Sequence, residues 1–257
     1  MTRFFTSLST FFDIYGDMFV SSIQKHLFYV LVSVAIGFVL GLFFGILLSR
    51  APQLSAITLP LISVFQTIPG IVFIGILFLY TGMEPITVLI ALSIYAMFPV
   101  LKNTYTGLLG VEKQYLEAAW GCGMTPMQTL LQVELPLAMP NIIGGLRLST
   151  VYTVSWATLA AIIGLGGLGD FIYQGVSSNN DALILAGAIP AAIMAVVLGA
   201  GDAFHLIPRA VALCTTGLEH YTAALGLGKW ITSITMTIFY VLLYYVWRQR
   251  ILRDGVA

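Results

Sequence analysis

The chain has 257 residues, of which 59% are hydrophobic and 9% charged, with a mean hydropathy of +0.96. Soluble domains carry roughly 25% charged residues, so a water-soluble globular domain is excluded, and a formal net charge of +0 offers nothing to attract nucleic acid. The 2 cysteines, Cys122 and Cys214, lie far apart without CxxC spacing, and the 3 histidines are scattered, so neither a disulfide nor a metal site is expected.

Residues 1–26 come first. Phe4, Leu8, Phe11, Phe12, Tyr15 and Phe19 recur there at helical spacing, with Ser, Thr and Asp opposite them. The pattern predicts an N-terminal amphipathic helix, either lying in the membrane interface or packed on the bundle. Arg3 is followed by neither a compact apolar core nor a small-residue cleavage site, so no secretory signal is expected. A membrane-spanning helix needs about 20 mostly apolar residues. Segments 27–48, 57–80, 86–101 (extensible toward 109), 137–163 and 182–198 meet or approach that length. They predict an all-α polytopic membrane protein, with a core of five transmembrane helices over 27–200. The tail, 201–257, carries a further apolar segment at 231–247 and is expected to add one or two such segments outside the transport machinery.

The second span is interrupted by Gln66-Thr67-Ile68-Pro69-Gly70. A polar pair at membrane depth is costly unless it faces protein or a cavity, and Pro69 removes a backbone hydrogen bond that neighbours must replace. In the fourth span Ser149, Tyr152, Thr153, Trp156 and Ala160 share one helical face. The aromatic members there either guide a cation by cation–π attraction or pack helix against helix. That span ends in Gly164-Leu165-Gly166-Gly167-Leu168-Gly169, which satisfies G-x-G-x-x-G. A dinucleotide fingerprint requires a preceding strand and a following helix in a βαβ unit. A long apolar helix precedes this one, so the nucleotide reading fails. Two readings stay open for the glycines, an outer gate or simple helix termination.

Between the third and fourth spans lies the longest polar interval, 103–136, containing EAAWGCGMTPMQTLLQVELP from Glu117 to Pro136. Ala118 and Ala119 permit close backbone approach, Gly123 permits a sharp turn, and Pro136 can open the next helix in its first turn. Lys102, Lys113 and Arg147 lie in or beside this interval and Arg50 in the 49–55 loop, whereas 81–85 and 166–181 hold no Lys or Arg. The positive-inside tendency therefore places 103–136 in the cytoplasm and the N-terminus outside, with Arg3 and Lys25 against the trend.

Glu117-Ala118-Ala119, Gly123 and Val133-Glu134-Leu135-Pro136 together resemble the cytoplasmic coupling loop of ABC-importer permeases, EAA-x3-G-x9-I-x-LP, with Val133 in the Ile place. Residues 63–70, 102–107, 156–169 and 187–190 are similar to the osmoprotectant branch of that family, which handles glycine betaine, choline, carnitine and related quaternary amines. The resemblance covers roughly 27–197. It implies a type I ABC-importer permease core in a bacterial cell membrane, a transport subunit and not an enzyme. Glu117, Ala118, Ala119, Gly123, Leu135 and Pro136 are the implied ATPase-coupling residues. Glu117 has a structural alternative, capping amides at the coupling-helix N-terminus. Gln66, Pro69, Tyr152, Trp156, Gly164, Gly166 and Gly167 are the implied path and gate residues. The implied partners are two ATPase subunits carrying ATP-Mg, a second permease copy or paralogue, and an external substrate-binding protein. No cofactor is expected in this chain.

The competing class is an ion-coupled secondary transporter or channel. Such proteins place ionisable groups at the midplane, and 27–48, 57–80 and 182–198 contain no Asp, Glu, Lys, Arg or His. Gln66 remains able to bind an ion without charge. An intramembrane enzyme would need a nucleophile–base pair, which the topology does not supply.

Overall fold

The structure, a computed structural model, describes residues 2–214, with side chains placed for 13–197. Among the described residues every regular element is helical. Helix α1 runs from Thr2 to Arg50 without interruption. The expected separation of a 1–26 helix from the first span is therefore absent. Between Gly16 and Gly37 the sequence has neither Gly nor Pro to stop a helix. Tyr15 and Phe19 meet Phe171 edge-on, with ring centroids 6.4 and 5.8 Å away, so this part of α1 packs on the bundle.

The second predicted span is a broken one. Helices α2 (Pro52–Phe65) and α3 (Gly70–Thr81) meet at 93° across the Gln66–Pro69 turn. Helix α4 (Pro85–Leu109) extends well past residue 101, because Thr104, Gly107 and Leu108 are buried and reward its continuation. Two short helices follow, α5 (Lys113–Gly121) and α6 (Pro126–Thr129). From α6 the chain passes through a π-helical turn, Leu130–Glu134, into α7 (Leu135–Ala157) and a 3-10 segment, Thr158–Ile163. These form one apolar stretch of 38 residues, Pro126–Ile163.

Pro136 stands in the first turn of α7, as expected, but a π-turn and not a loop precedes that helix. The helical run begins at Thr125, whose hydroxyl accepts from the Gln128 amide while the Gln128 side chain accepts from the Thr125 amide, with Pro126 next in line. Pro136 is tolerated ten residues later because its ring would crowd the Gln132 carbonyl, and the wider π-turn lies at that place.

Beyond the 3-10 segment lie α8 (Leu168–Ser177) and α9 (Asp181–Cys214). Among the described residues, Asp13–Arg50, Pro85–Leu109 and Pro126–Ile163 are each long and apolar enough to cross a membrane; α2 and α3 qualify as one bent pair, and Asp181–Val197 is a shorter apolar stretch. The unit beginning at Ala192 is described only as the continuation of α9 to Cys214. The apolar segment at 231–247 lies outside the described residues.

Helix α4 is the packing centre of the first unit, with α1 on one side and α7 on the other. The α1 contact is a stripe of glycines four residues apart. A Cβ at Gly37 would lie 2.6 Å from the Ala96 Cβ, one at Gly41 2.7 Å from the Val100 Cβ, and one at Gly45 2.7 Å from the Thr104 Cβ. Lipid tails are as apolar as side chains, so helices in a bilayer associate through such backbone approach and its dispersion contacts. On the opposite side Gly145 of α7 abuts Asn103 and Pro99 of α4 in the same manner. Ser149 adds a buried hydrogen bond to the Ala96 carbonyl at 2.7 Å.

Candidate functional site

The polar interval forms a small, outward-standing unit at one end of the bundle. Helix α5 ends in a Schellman motif. The Gly123 amide donates to the Trp120 carbonyl (2.9 Å) and the Met124 amide to the Ala119 carbonyl (3.1 Å), with Gly123 at φ +77°. Glycine adopts that left-handed conformation freely, whereas an L side chain costs about 1–2 kcal/mol. Ala119, on the inner side of the turn, is buried, while Glu117, Ala118, Trp120 and Met127 are exposed. Glu117 sits mid-helix and does not cap α5. The N-cap position is Glu112, which makes no side-chain cap bond and instead accepts from the Gln114 side-chain amide. Leu135 packs against the Leu108, Ala138 and Ile142 cluster, and Pro136 is exposed.

One ion pair ties this unit to the end of α1. Arg50 Nη2 donates to Glu134 Oε2 at 2.5 Å, with the arginine about half exposed and the carboxylate buried. Glu134 closes the π-turn, so the pair joins the α1 C-terminus to the point where the α6 segment enters α7.

The second cluster surrounds the α2–α3 break. Gln66 Oε1 accepts from Lys102 Nζ at 3.0 Å. Pro69 is the residue from which α3 departs. The Tyr95 hydroxyl donates to the Ile68 carbonyl (2.8 Å) in the turn, and the Trp156 ring stacks on Tyr95 with centroids 4.2 Å apart and planes at 28°. A Cβ at Gly70 would lie 1.7 Å from a Trp156 ring carbon, so the glycine is what admits the indole. Phe65, Phe73 and Phe98 complete the group around Tyr95, at 6.5, 5.6 and 6.1 Å. Gln66, Pro69 and Trp156 are thus brought together. No ring contact or hydrogen bond ties Tyr152 to them. Ser149, Thr153 and Ala160 are buried, whereas Tyr152 is exposed to 51%.

The glycine cluster forms a third group, about 37 Å along α1 from Arg50 as counted from Lys25 at 1.5 Å per residue. Gly164, Gly166 and Gly167 have φ of +73°, +83° and +96°. Helix α1 holds this turn at several points. The Tyr29 hydroxyl donates to the Leu165 carbonyl at 3.2 Å, His26 is buried against Gly167, and Lys25 and Asp170 flank Gly166. Burial pushes the Asp170 carboxyl above its ordinary range, and Lys25 opposes that shift. The Lys25 that ran against the charge trend therefore has an acidic neighbour.

Sequence reasoning passed over the Arg50–Glu134 pair, the Lys102–Gln66 contact and Tyr95. A usable signal existed for Glu134, a lone carboxylate between apolar Val133 and Leu135, and for Arg50, the cation ending the first span. Among the described residues no group of three or more His, Cys, Asp or Glu is placed to hold a metal.

Residues 37–207 match the family described as "Binding-protein-dependent transport system inner membrane component". The chain belongs to this family. The permease is 39% identical over 217 residues to the carnitine transport permease protein OpuCB of Listeria monocytogenes, covering 83% of this chain and 99% of that one. It is 35% identical over 191 residues to the glycine betaine/carnitine/choline transport system permease protein OpuCB of Bacillus subtilis, covering 74% and 88%. The choline transport system permease protein OpuBB of B. subtilis is 37% identical over 174 residues, covering 68% and 80%. Among solved structures, the inward-facing methionine ABC transporter MetNI superposes with a TM-score of 0.66 at 23% identity, covering 72% of this chain and 94% of that chain. The fold is that of the type I ABC-importer permeases. The permease is a multi-pass transport subunit, and in such importers ATP is hydrolysed by a separate subunit.

Proposed function

We propose that the permease imports quaternary-amine osmoprotectants of the glycine betaine, choline and carnitine type across a bacterial cell membrane. Two ATPase subunits carrying ATP-Mg, a second permease copy or paralogue, and an external substrate-binding protein complete the machine. The observation carrying this reading is near end-to-end similarity to a carnitine permease, extending over 99% of that protein. The exposed face of α5 and α6, with Glu117, Ala118, Trp120 and Met127, suits docking into an ATPase cleft. Closure of the ATPases would push this segment. The continuous helical run from Pro126 to Ile163 would carry the push toward Trp156 and the α2–α3 break, opening the path alternately to each side. We read Gln66, Pro69 and Trp156 at the break as part of an inner path and the glycine turn as an outer gate.

The test is uptake of radiolabelled glycine betaine, carnitine and choline into vesicles holding the full complex. ATP-dependent, vanadate-sensitive accumulation is expected. Accumulation driven by an imposed ion gradient without ATP would replace this reading with an ion-coupled carrier.

A further inference from the structure

We infer that Lys102 and Gln66 form a carboxylate subsite on the transport path, so that the permease favours quaternary amines bearing a carboxylate over quaternary alcohol cations of the choline type. This rests on the quaternary-amine reading and names the members of the class that fit.

Lys102 lies in α4, about 10 Å before its C-terminal end at 1.5 Å per residue. Its ammonium donates to the neutral Gln66 amide oxygen at 3.0 Å. Among the described residues Lys102 has no carboxylate partner within 4.0 Å. A lysine carries three donors, and Gln66 occupies one. An ammonium in a spanning helix is expensive against lipid and persists where it faces a polar cavity or meets an opposite charge. Here it reaches the one bent pair among the described helices, where α2 and α3 part at 93° and the backbone turns at Gln66.

The surroundings supply the other half of a zwitterion site. Tyr95 lies about two turns before Lys102, on the same side of α4. Phe65, adjacent to Gln66, lies 6.5 Å from Tyr95 and 5.6 Å from Phe98. Aromatic rings attract a quaternary ammonium, while the lysine and amide receive a carboxylate through charge-assisted hydrogen bonds. A betaine or carnitine satisfies both. Choline meets only the rings, and its net positive charge is repelled by Lys102.

The experiment uses the full complex in vesicles, with uptake of glycine betaine, carnitine and choline measured per assembled complex. Lys102→Gln is expected to lower carboxylated-amine uptake at least about tenfold and to leave choline uptake equal or higher, while Lys102→Arg retains carboxylated uptake. Gln66→Glu, which sets a competing carboxylate against Lys102, is expected to reproduce the loss independently. Carboxylated uptake within twofold of wild type in Lys102→Gln or Gln66→Glu, or a parallel loss of choline, overturns the subsite. So does a wild-type complex that carries choline but no carboxylated amine. A wild-type complex carrying none of the three overturns the quaternary-amine reading itself, which keeps the two failures apart.

Discussion

Along the α1–α4 seam, a Cβ added at Gly41 would sit 2.7 Å from both the Met97 carbonyl oxygen and the Val100 Cβ; one added at Gly123, in the turn after α5, would meet nothing within 4 Å. The two glycines serve different physics. At the seam, glycine is required by what lies outside it, because two backbones approach until no side chain fits between them. In the turn after α5 it is required by its own backbone, at φ +77°, while the space around it stays open. The seam is finished within this chain. The α5–α6 segment leaves Trp120 and Met127 exposed to 59% and 63%, the face proposed to dock on an ATPase.

The comparison is most strongly tested at the seam. Gly41→Leu should separate α1 from α4 at a cost of about 3 kcal/mol or more, read as loss of detergent-resistant permease and of every downstream activity. Full retention of folded protein would mean the seam is not specified by close approach. Gly123→Leu should behave differently. The strained turn costs about 1–2 kcal/mol, confined to the α5 end, so the protein should remain in the membrane at normal levels. ATPase association and coupled uptake should fall instead, and Gly123→Asn, which tolerates left-handed backbone, should recover part of both. Normal transport by the leucine variant would remove the main support for this turn as the coupling element.

Arg50→Ala sits between the two regions and should have a smaller effect. Removing one partner of a fully buried pair costs about 3–5 kcal/mol, but half-exposed Arg50 places this pair lower, at about 1–2 kcal/mol. The expected sign is reduced transport per ATP hydrolysed with near-normal expression, and the swap Arg50→Glu with Glu134→Arg should restore part of the coupling. An unaltered transport-to-ATP ratio would make the pair a stability contact only. The smallest effect is expected from ending the chain after residue 207, where the family match stops. Such a permease should retain ATP-driven uptake with at most reduced expression. Complete loss of uptake by a well-assembled truncation would make the tail part of the machine.

Much of this was legible in the chain itself. Apolar run lengths located the helices, because the bilayer sets a length scale that a one-dimensional pattern can carry. The helix break was visible in Gln66 through Gly70, and the α5 turn in Gly123, because proline and glycine act on their own backbone. Other features were not. The α1 boundary at residue 26 was misplaced because an apolar-rich leader and a span differ in surroundings and not in helical pattern. Pro136 does lie in the first turn of α7, but the π-turn that carries the helix into it from α6 leaves no mark in a single residue. The stripe of Gly37, Gly41 and Gly45 was present in the sequence, yet its partner helix was not. Tyr152 and Trp156 share a sequence face, and only the packing of Trp156 on Tyr95 and Gly70 distinguishes it from exposed Tyr152.

What the sequence alone determined are properties acting within a few residues or along one helix: membrane residence, the places of the apolar helices, the glycine turn after α5 and family membership. Tertiary structure alone decided the pairings across long separations, Arg50 with Glu134, Lys102 with Gln66, and Tyr29 with the Leu165 carbonyl. A polar side chain within a span must find a partner in the bilayer, but its residue type does not say which helix will bring that partner near.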